Sequence, residues 1–117
     1  MVRKRKRGEL EAQVMNALWS GPHALTVREV LNQLPEPRPA YTTVSTVLER
    51  LRAKGRVNRT TKGRGYCFAP VQTDDEHTSD VMLSALGASR DREAALLKFA
   101  GNLDDTDIDL LRQAFGG

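Results

Sequence analysis

Residues 40–70, AYTTVSTVLERLRAKGRVNRTTKGRGYCFAP, constrain the fold more than any other stretch of the chain. Val44, Val47, Leu48 and Leu51 recur at i, i+3, i+4 and i+7, the spacing that puts apolar side chains on one helical stripe facing a core. The opposite face carries Thr42, Thr46, Glu49 and Ala53, flanked by Thr43, Ser45 and Arg50. Short hydroxyl side chains there leave room for a groove wall and hydrogen-bond bases or phosphates. Gly55 then ends the helix, and two short runs rich in β-branched and aromatic residues, 56–61 and 65–70, follow around a turn at Lys62, Gly63 and Arg64. A helix leading into a cationic hairpin is the DNA-reading half of a winged helix. With the helix in a major groove, the hairpin tip reaches flanking phosphates or the minor groove, where Lys and Arg are favoured by charge. An ordinary solvated hairpin beside a polar helix face is the plainer alternative, and the local excess of positive charge argues against it.

That excess is concealed by the formal net charge of +3. Residues 1–70 hold 14 Lys and Arg against 5 Asp and Glu, whereas residues 71–117 hold 4 against 10. The split predicts a basic half facing a polyanion and an acidic half kept away from it, with the break near 71–75. At 117 residues the chain is about one average domain, or one small domain with an oligomerisation appendage, and a sizeable catalytic cleft is not expected. The only cysteine, Cys67, excludes an intramolecular disulfide or a CxxC zinc site, and a reducing, cytoplasmic setting is expected. No apolar run approaches a membrane span, and the MVRKRKRG start leads into Glu9, Glu11 and Gln13 rather than the apolar stretch of a secretory signal. It reads as a flexible basic arm over 1–8, in which Arg5, Lys6 and Arg7 are candidate DNA contacts.

The rest of the chain fills in a winged-helix order. A first helix is expected over 9–20, with Leu10, Val14, Ala17 and Leu18 inward, Gly21-Pro22 as its stop and Trp19 packed beneath the domain. Thr26-Val27-Arg28-Glu29 has the capping-box pattern, placing a second helix from Val27 to about Leu34, and Pro35, Pro37 and Pro39 forbid regular structure before Tyr41. Three further short helices are predicted after 73: one capped by the Thr73-Asp74-Asp75-Glu76 box and stopped at Gly87, one capped by Ser89, one capped by Asp104. Their apolar residues Val81, Met82, Leu86, Leu96, Leu97, Phe99, Ile108, Leu111 and Phe115 are too few to form an independent core, and a second subunit is the economical partner. Folding back on the first domain of the same chain is the alternative, disfavoured by the charge break. The expected fold class is mainly α with a small β-hairpin wing: a winged helix-turn-helix domain over 9–72 and a three-helix dimerisation region over 73–117.

Other chemistries find no support. His23 and His77 stand apart without an HxxxH or HExxH pattern, Cys67 reads as a small packed residue on the strand face opposite Tyr66 and Phe68, and no GxSxG or GxxxxGK motif is present. Asp104, Asp105, Asp107 and Asp109 lack the glycine and terminal glutamate of a calcium loop. No enzyme activity, metal or cofactor is expected.

The segments GELEAQVMNALWSG, LTVREVLNQL and AYTTVSTVLERLRAKGRVNRTTKGRGYCFAPV are similar to those of the penicillinase-repressor family, the BlaI/MecI/CopY group of bacterial winged-helix repressors. The specific parts are E-x-x-V-M-x-x-L-W and T-V-x-x-V-L-x-R-L-x-x-K-G. The resemblance implies a homodimer whose two winged helices each read half of a palindromic operator in double-stranded DNA. It carries the recognition positions onto Thr42, Thr43, Ser45, Thr46 and Arg50 and the wing contacts onto Lys62 and Arg64, with Tyr41 a further candidate. Family members are relieved by Cu(I) binding to a C-terminal cysteine cluster or by a partner protease, commonly between Asn and Phe. Here no cysteine follows Cys67, which excludes the copper route, and Asn102 is followed by Leu103, a departure from the cleavage pattern. A sequence-neutral architectural DNA binder and a protein-interaction winged helix are the rival functions.

Overall fold

The computed structural model describes Arg5, Lys6 and residues 8–116. Two compact units divide it, the first running through Asp74 and the second starting at Asp75.

In the first unit, α1 (Glu9–Ser20), α2 (Val27–Gln33) and α3 (Tyr41–Ala53) precede a hairpin of β2 (Val57–Lys62) and β3 (Gly65–Pro70). A two-residue strand β1 (Leu25–Thr26), not foreseen from the sequence, pairs antiparallel with β3 through Leu25↔Phe68 and Thr26↔Cys67, giving the order β1-β3-β2. Local chemistry explains the boundaries. Thr26 and Glu29 form the expected box: Glu29 N–H donates to Thr26 Oγ1 at 3.2 Å and Thr26 N–H to Glu29 Oε1 at 2.9 Å. The far end of α2 is closed from outside, where the Arg38 guanidinium donates to the carbonyls of Leu34 (3.1 Å) and Asn32 (3.0 Å), satisfying acceptors that have no helical donor. At the end of α3, Gly55 has φ +78°, with Gly55 N–H bonded to Arg52 O and Arg56 N–H to Leu51 O, the paired bonds of a Schellman stop that needs a left-handed residue. The wing turn is one residue shorter than expected. Lys62 pairs with Gly65, leaving Gly63 (φ +60°) and Arg64 as the two central residues, and the glycine takes the only position there with positive φ.

The core of this unit joins Val14, Met15 and Leu18 of α1 to Val30 and Leu31 of α2, Val44, Val47, Leu48 and Leu51 of α3, and Val57 and Phe68 of the sheet. Trp19 packs at its edge and its Nε1–H donates to Gln72 O at 2.9 Å, tying the end of the wing to α1. Cys67 is buried as well, outside that apolar cluster, on the strand face opposite Phe68.

The second unit is built from α4 (Asp74–Gly87), whose first residue closes the first unit, α5 (Arg92–Gly101) and α6 (Asp105–Ala114). Asp104 caps α6 as expected, accepting from Asp107 N–H at 2.8 Å. The cap of α5 is Asp91 rather than Ser89: Asp91 Oδ1 accepts from Ala94 N–H at 3.0 Å, while the Ser89 hydroxyl accepts from Asp91 N–H one step upstream. None of these helices contains a buried residue.

Candidate nucleic-acid interface

The buried stripe of α3 fixes which side chains face outward. Tyr41, Thr42, Thr43, Thr46 and Arg50 are exposed, and Ser45 and Glu49 are half-buried. Thr46 Oγ1 donates its proton to Thr42 O at 2.9 Å, so the hydroxyl presents its lone pairs outward as an acceptor, suited to the amino groups of adenine or cytosine.

On the hairpin flank of α3, Ser45 and Glu49 line a groove whose other wall is Lys62, Gly65 and Tyr66 and whose end is closed by Arg28 and Tyr41. The Arg28 guanidinium lies 5.0 Å from the Tyr41 ring centroid, and that of Arg59 lies 4.0 Å from the Tyr66 ring centroid. Cation–π contact of this kind holds a guanidinium against an aromatic face without neutralising it. Lys62 and Arg64, at the wing tip, are exposed and form no ion pair with any described residue.

Two carboxylates pair four cations beside this face. On the α1 flank, Glu11 accepts from Lys54 Nζ at 3.0 Å and faces Arg50 Nη1 at 3.8 Å, so the recognition-helix position Arg50 leans toward α1 rather than standing alone. On the wing flank, Glu49 Oε2 accepts from Arg52 Nε at 3.0 Å and Oε1 from Arg59 Nη1 at 2.9 Å. Partial burial pushes the Glu49 carboxyl up, but the hydrogen bonds and charges of Arg52 and Arg59 outweigh it and hold it below the ordinary carboxyl value. Glu29 is likewise lowered, first by the Thr26 backbone and hydroxyl hydrogen bonds and then, against some desolvation, by the charges of Lys62 and His23.

At the start of the chain, the basic arm is held rather than free at Arg5. Its Nε donates to Gln13 Oε1 at 2.8 Å and an Nη to Pro35 O at 3.2 Å, and Lys6 N–H donates to Glu9 Oε2 at 2.8 Å. Arg7, the third arm position, lies outside the described residues.

The sequence did not single out Arg28, Arg59 or Tyr66. The Thr26 box fixes Arg28 on the first turn of α2, but its approach to Tyr41 crosses the α2–α3 connection; Glu49–Arg52 is an i,i+3 pair visible in the sequence, whereas Glu49–Arg59 depends on how the wing folds back along α3.

Comparison with known proteins settles the family. The penicillinase repressor family profile matches residues 7–116, nearly the whole chain. This chain belongs to the penicillinase repressor family. Its winged helix and the family together place it among DNA-binding transcriptional repressors, which are not a class of enzymes. The repressor is 39% identical over 118 residues to proteins named Transcriptional regulator BlaI in two Mycobacterium tuberculosis strains, CDC 1551 and H37Rv, covering 97% of this chain and 86% of theirs. The structure of a MarR family protein from Bacillus stearothermophilus superposes at a TM-score of 0.47 and 17% identity, covering 91% of the repressor and 68% of that chain. Among the described residues, no helix of the repressor is long and apolar enough to cross a membrane.

Proposed function

We propose that the repressor acts as a homodimer that reads a palindromic operator, each first unit laying α3 in a major groove and its wing on the flanking backbone. One observation carries this: around a single open groove the fold gathers Ser45 and the aromatic Tyr41 on α3 with Lys62 and Tyr66 on the wing, beside the exposed hydroxyls of Thr42 and Thr46. Hydroxyls and an aromatic ring at the centre suit base edges, and unpaired cations at the rim suit phosphates. In this assignment Tyr41, Thr42, Thr43, Ser45 and Thr46 face bases, Lys62 and Arg64 face phosphates, and Arg50 reaches phosphate from its place near Glu11. Arg5 and Lys6, with Arg7, add backbone contacts if the Arg5 hydrogen bonds to Gln13 and Pro35 open.

The pairing of Arg52 and Arg59 to Glu49, and of Arg50 and Lys54 to Glu11, weighs against the architectural rival. A sequence-neutral binder gains from every unpaired cation, whereas these are partly neutralised. Dimerisation through the apolar residues of the second unit joins two half-sites, so the second docking is largely intramolecular. Relief by a partner protease at Asn102–Leu103 completes the proposal: Asn102 is an exposed C-cap at the α5–α6 junction, and cleavage there removes α6 and its share of the dimer surface. Exposure of cells to a cell-wall antibiotic followed by blotting tests that step, and intact protein alongside induced target genes contradicts it.

Fluorescence anisotropy against the DNA upstream of the repressor's own gene and against a scrambled duplex, across a salt series, tests the central reading. A preference of about a thousandfold or more is expected for specific recognition. Equal, steeply salt-dependent binding to both supports the architectural rival, and no binding at low salt supports a protein-interaction module.

A further inference from the structure

We infer that Glu49 is a positioning residue for specificity: it locks the wing to the recognition helix and, by engaging Arg52 and Arg59, withholds two cations from sequence-independent phosphate contact. The inference rests on the operator-reading function proposed above.

A carboxylate on a surface meant for a polyanion repels the ligand, so its presence calls for a compensating role. The geometry supplies one. The two oxygens of Glu49 serve different elements: Oε2 holds Arg52 on α3 itself, and Oε1 holds Arg59 on β2. Arg59 is anchored in turn, its backbone paired with the core residue Phe68 and its guanidinium stacked on Tyr66, next to the Gly65 that begins the return strand. The chain of contacts therefore runs from α3 through Glu49 and Arg59 to the ring of Tyr66 near the wing tip. Beyond it the wing stands clear, with residues 60–66 all exposed and an open groove between Lys62 or Tyr66 and the helix. The Glu49–Arg59 pair thus bridges α3 and the wing at the edge of that groove, and it sets the angle at which Lys62 and Arg64 meet the backbone relative to the bases under Ser45 and Thr46. Hydrogen bonds to a charged partner are short and directional enough for this task.

The same pair sets the charge presented to DNA. With Glu49 ionised, the Glu49–Arg52–Arg59 group carries one net positive charge instead of two. Loss of the carboxylate frees phosphate-binding capacity and loosens the wing together. Loss of Arg59 loosens the wing while removing positive charge. The two changes push sequence-independent affinity in opposite directions but discrimination in the same direction, a signature that a purely electrostatic or purely structural residue does not produce.

The experiment compares the full-length repressor with Glu49→Gln and Arg59→Gln, by anisotropy on the operator and on a random duplex across a salt series, with thermal melting of each variant followed by circular dichroism. Gln at 49 keeps an oxygen that accepts from an arginine, and Arg59 is half-buried at the sheet surface, so both variants are expected to fold. Glu49→Gln is expected to tighten random-duplex binding and steepen its salt slope by about 1. Arg59→Gln is expected to weaken random-duplex binding, with a slope shallower by about 1. Operator preference is expected to fall in both, by about tenfold. Preference retained in both variants of a wild type that does discriminate overturns the inference and leaves the operator-reading function standing. Equal weakening on both duplexes, accompanied by a lowered melting temperature, assigns Glu49 a merely structural role and also overturns it. A wild type that does not discriminate overturns both.

Discussion

In the first unit the apolar stripes of α1, α2 and α3 close on one another and on Phe68 of the wing; in the second, three amphipathic helices leave Leu97 67% exposed and Phe115 82% exposed, with no described residue buried. The helices of the first unit span 12, 7 and 13 residues and those of the second 14, 10 and 10, so length does not separate the two units and the contrast lies in what each apolar face meets. The first unit adds a sheet whose central strand brings Phe68 across three helices, and that closes a core. The second unit has no sheet, and α4, α5 and α6 are each too short to hold their conformation through helix propensity alone. In the proposed homodimer this exposed apolar surface is the face that the second subunit covers. Leu83 and Leu110 extend it beyond the residues expected from the sequence. The proposed function divides labour along the same line: the unit that completes its own core offers a polar face to DNA, and the unit that does not offers an apolar face to a second copy.

The largest effect is expected at the core. Phe68→Ala, which empties the buried aromatic position joining sheet and helices, is expected to cost about 3–5 kcal/mol of first-unit stability in chemical denaturation. A loss under about 1 kcal/mol would mean the core is not organised around the wing. Leu97→Glu attacks the opposite kind of surface. It is expected to weaken self-association by about 2–4 kcal/mol in sedimentation analysis while leaving near-ultraviolet signals of Trp19 in place. Unchanged association would remove α5 from the interface. Thr46→Ala sharpens the claim for the polar face: about 1–3 kcal/mol of discrimination per half-site is expected to vanish, whereas Lys62→Ala weakens all duplexes alike and flattens the salt slope by about 1. Equal losses on operator and random DNA for Thr46→Ala would contradict base reading.

The smallest effects concern the cap of α2. Thr26→Ala is expected to destabilise the first unit by about 1 kcal/mol. The Glu29 carboxyl of the same box is lowered in the folded chain, so its contribution is complete above the ordinary carboxyl value of 4.5 and is lost as pH falls through the folded value. Glu29→Gln keeps the box hydrogen bond and is expected to flatten this acid limb in a pH series of thermal melts. An unaltered limb would show that other carboxylates carry it.

How much of this was legible in the sequence depended on whether the cause was local. Thr26 with Glu29, Gly55 after α3, Asp104 before α6 and the Val44-to-Leu51 stripe act within a few residues, and each element stands where their spacing puts it. The sequence points to Ser89 as the α5 cap and the structure uses Asp91, because both are capable acceptors and which one serves is decided by where the helical backbone begins. Strand β1 spans two residues and has no periodicity to read; it exists because β3 offers a partner. In the candidate interface the hydroxyl face of α3 was visible, but the attachment of Arg50 to Glu11, Arg5 to Pro35 and Arg59 to Glu49 joins residues that only the fold brings together.

Selection of bound duplexes from a random pool by the full-length repressor tests most directly the proposal that two first units read symmetric DNA through α3. The expected result is an inverted repeat whose half-site centres lie one helical turn, about 34–36 Å, or a multiple of it apart. Enrichment of a single unrepeated site, or of no sequence at all, would contradict it.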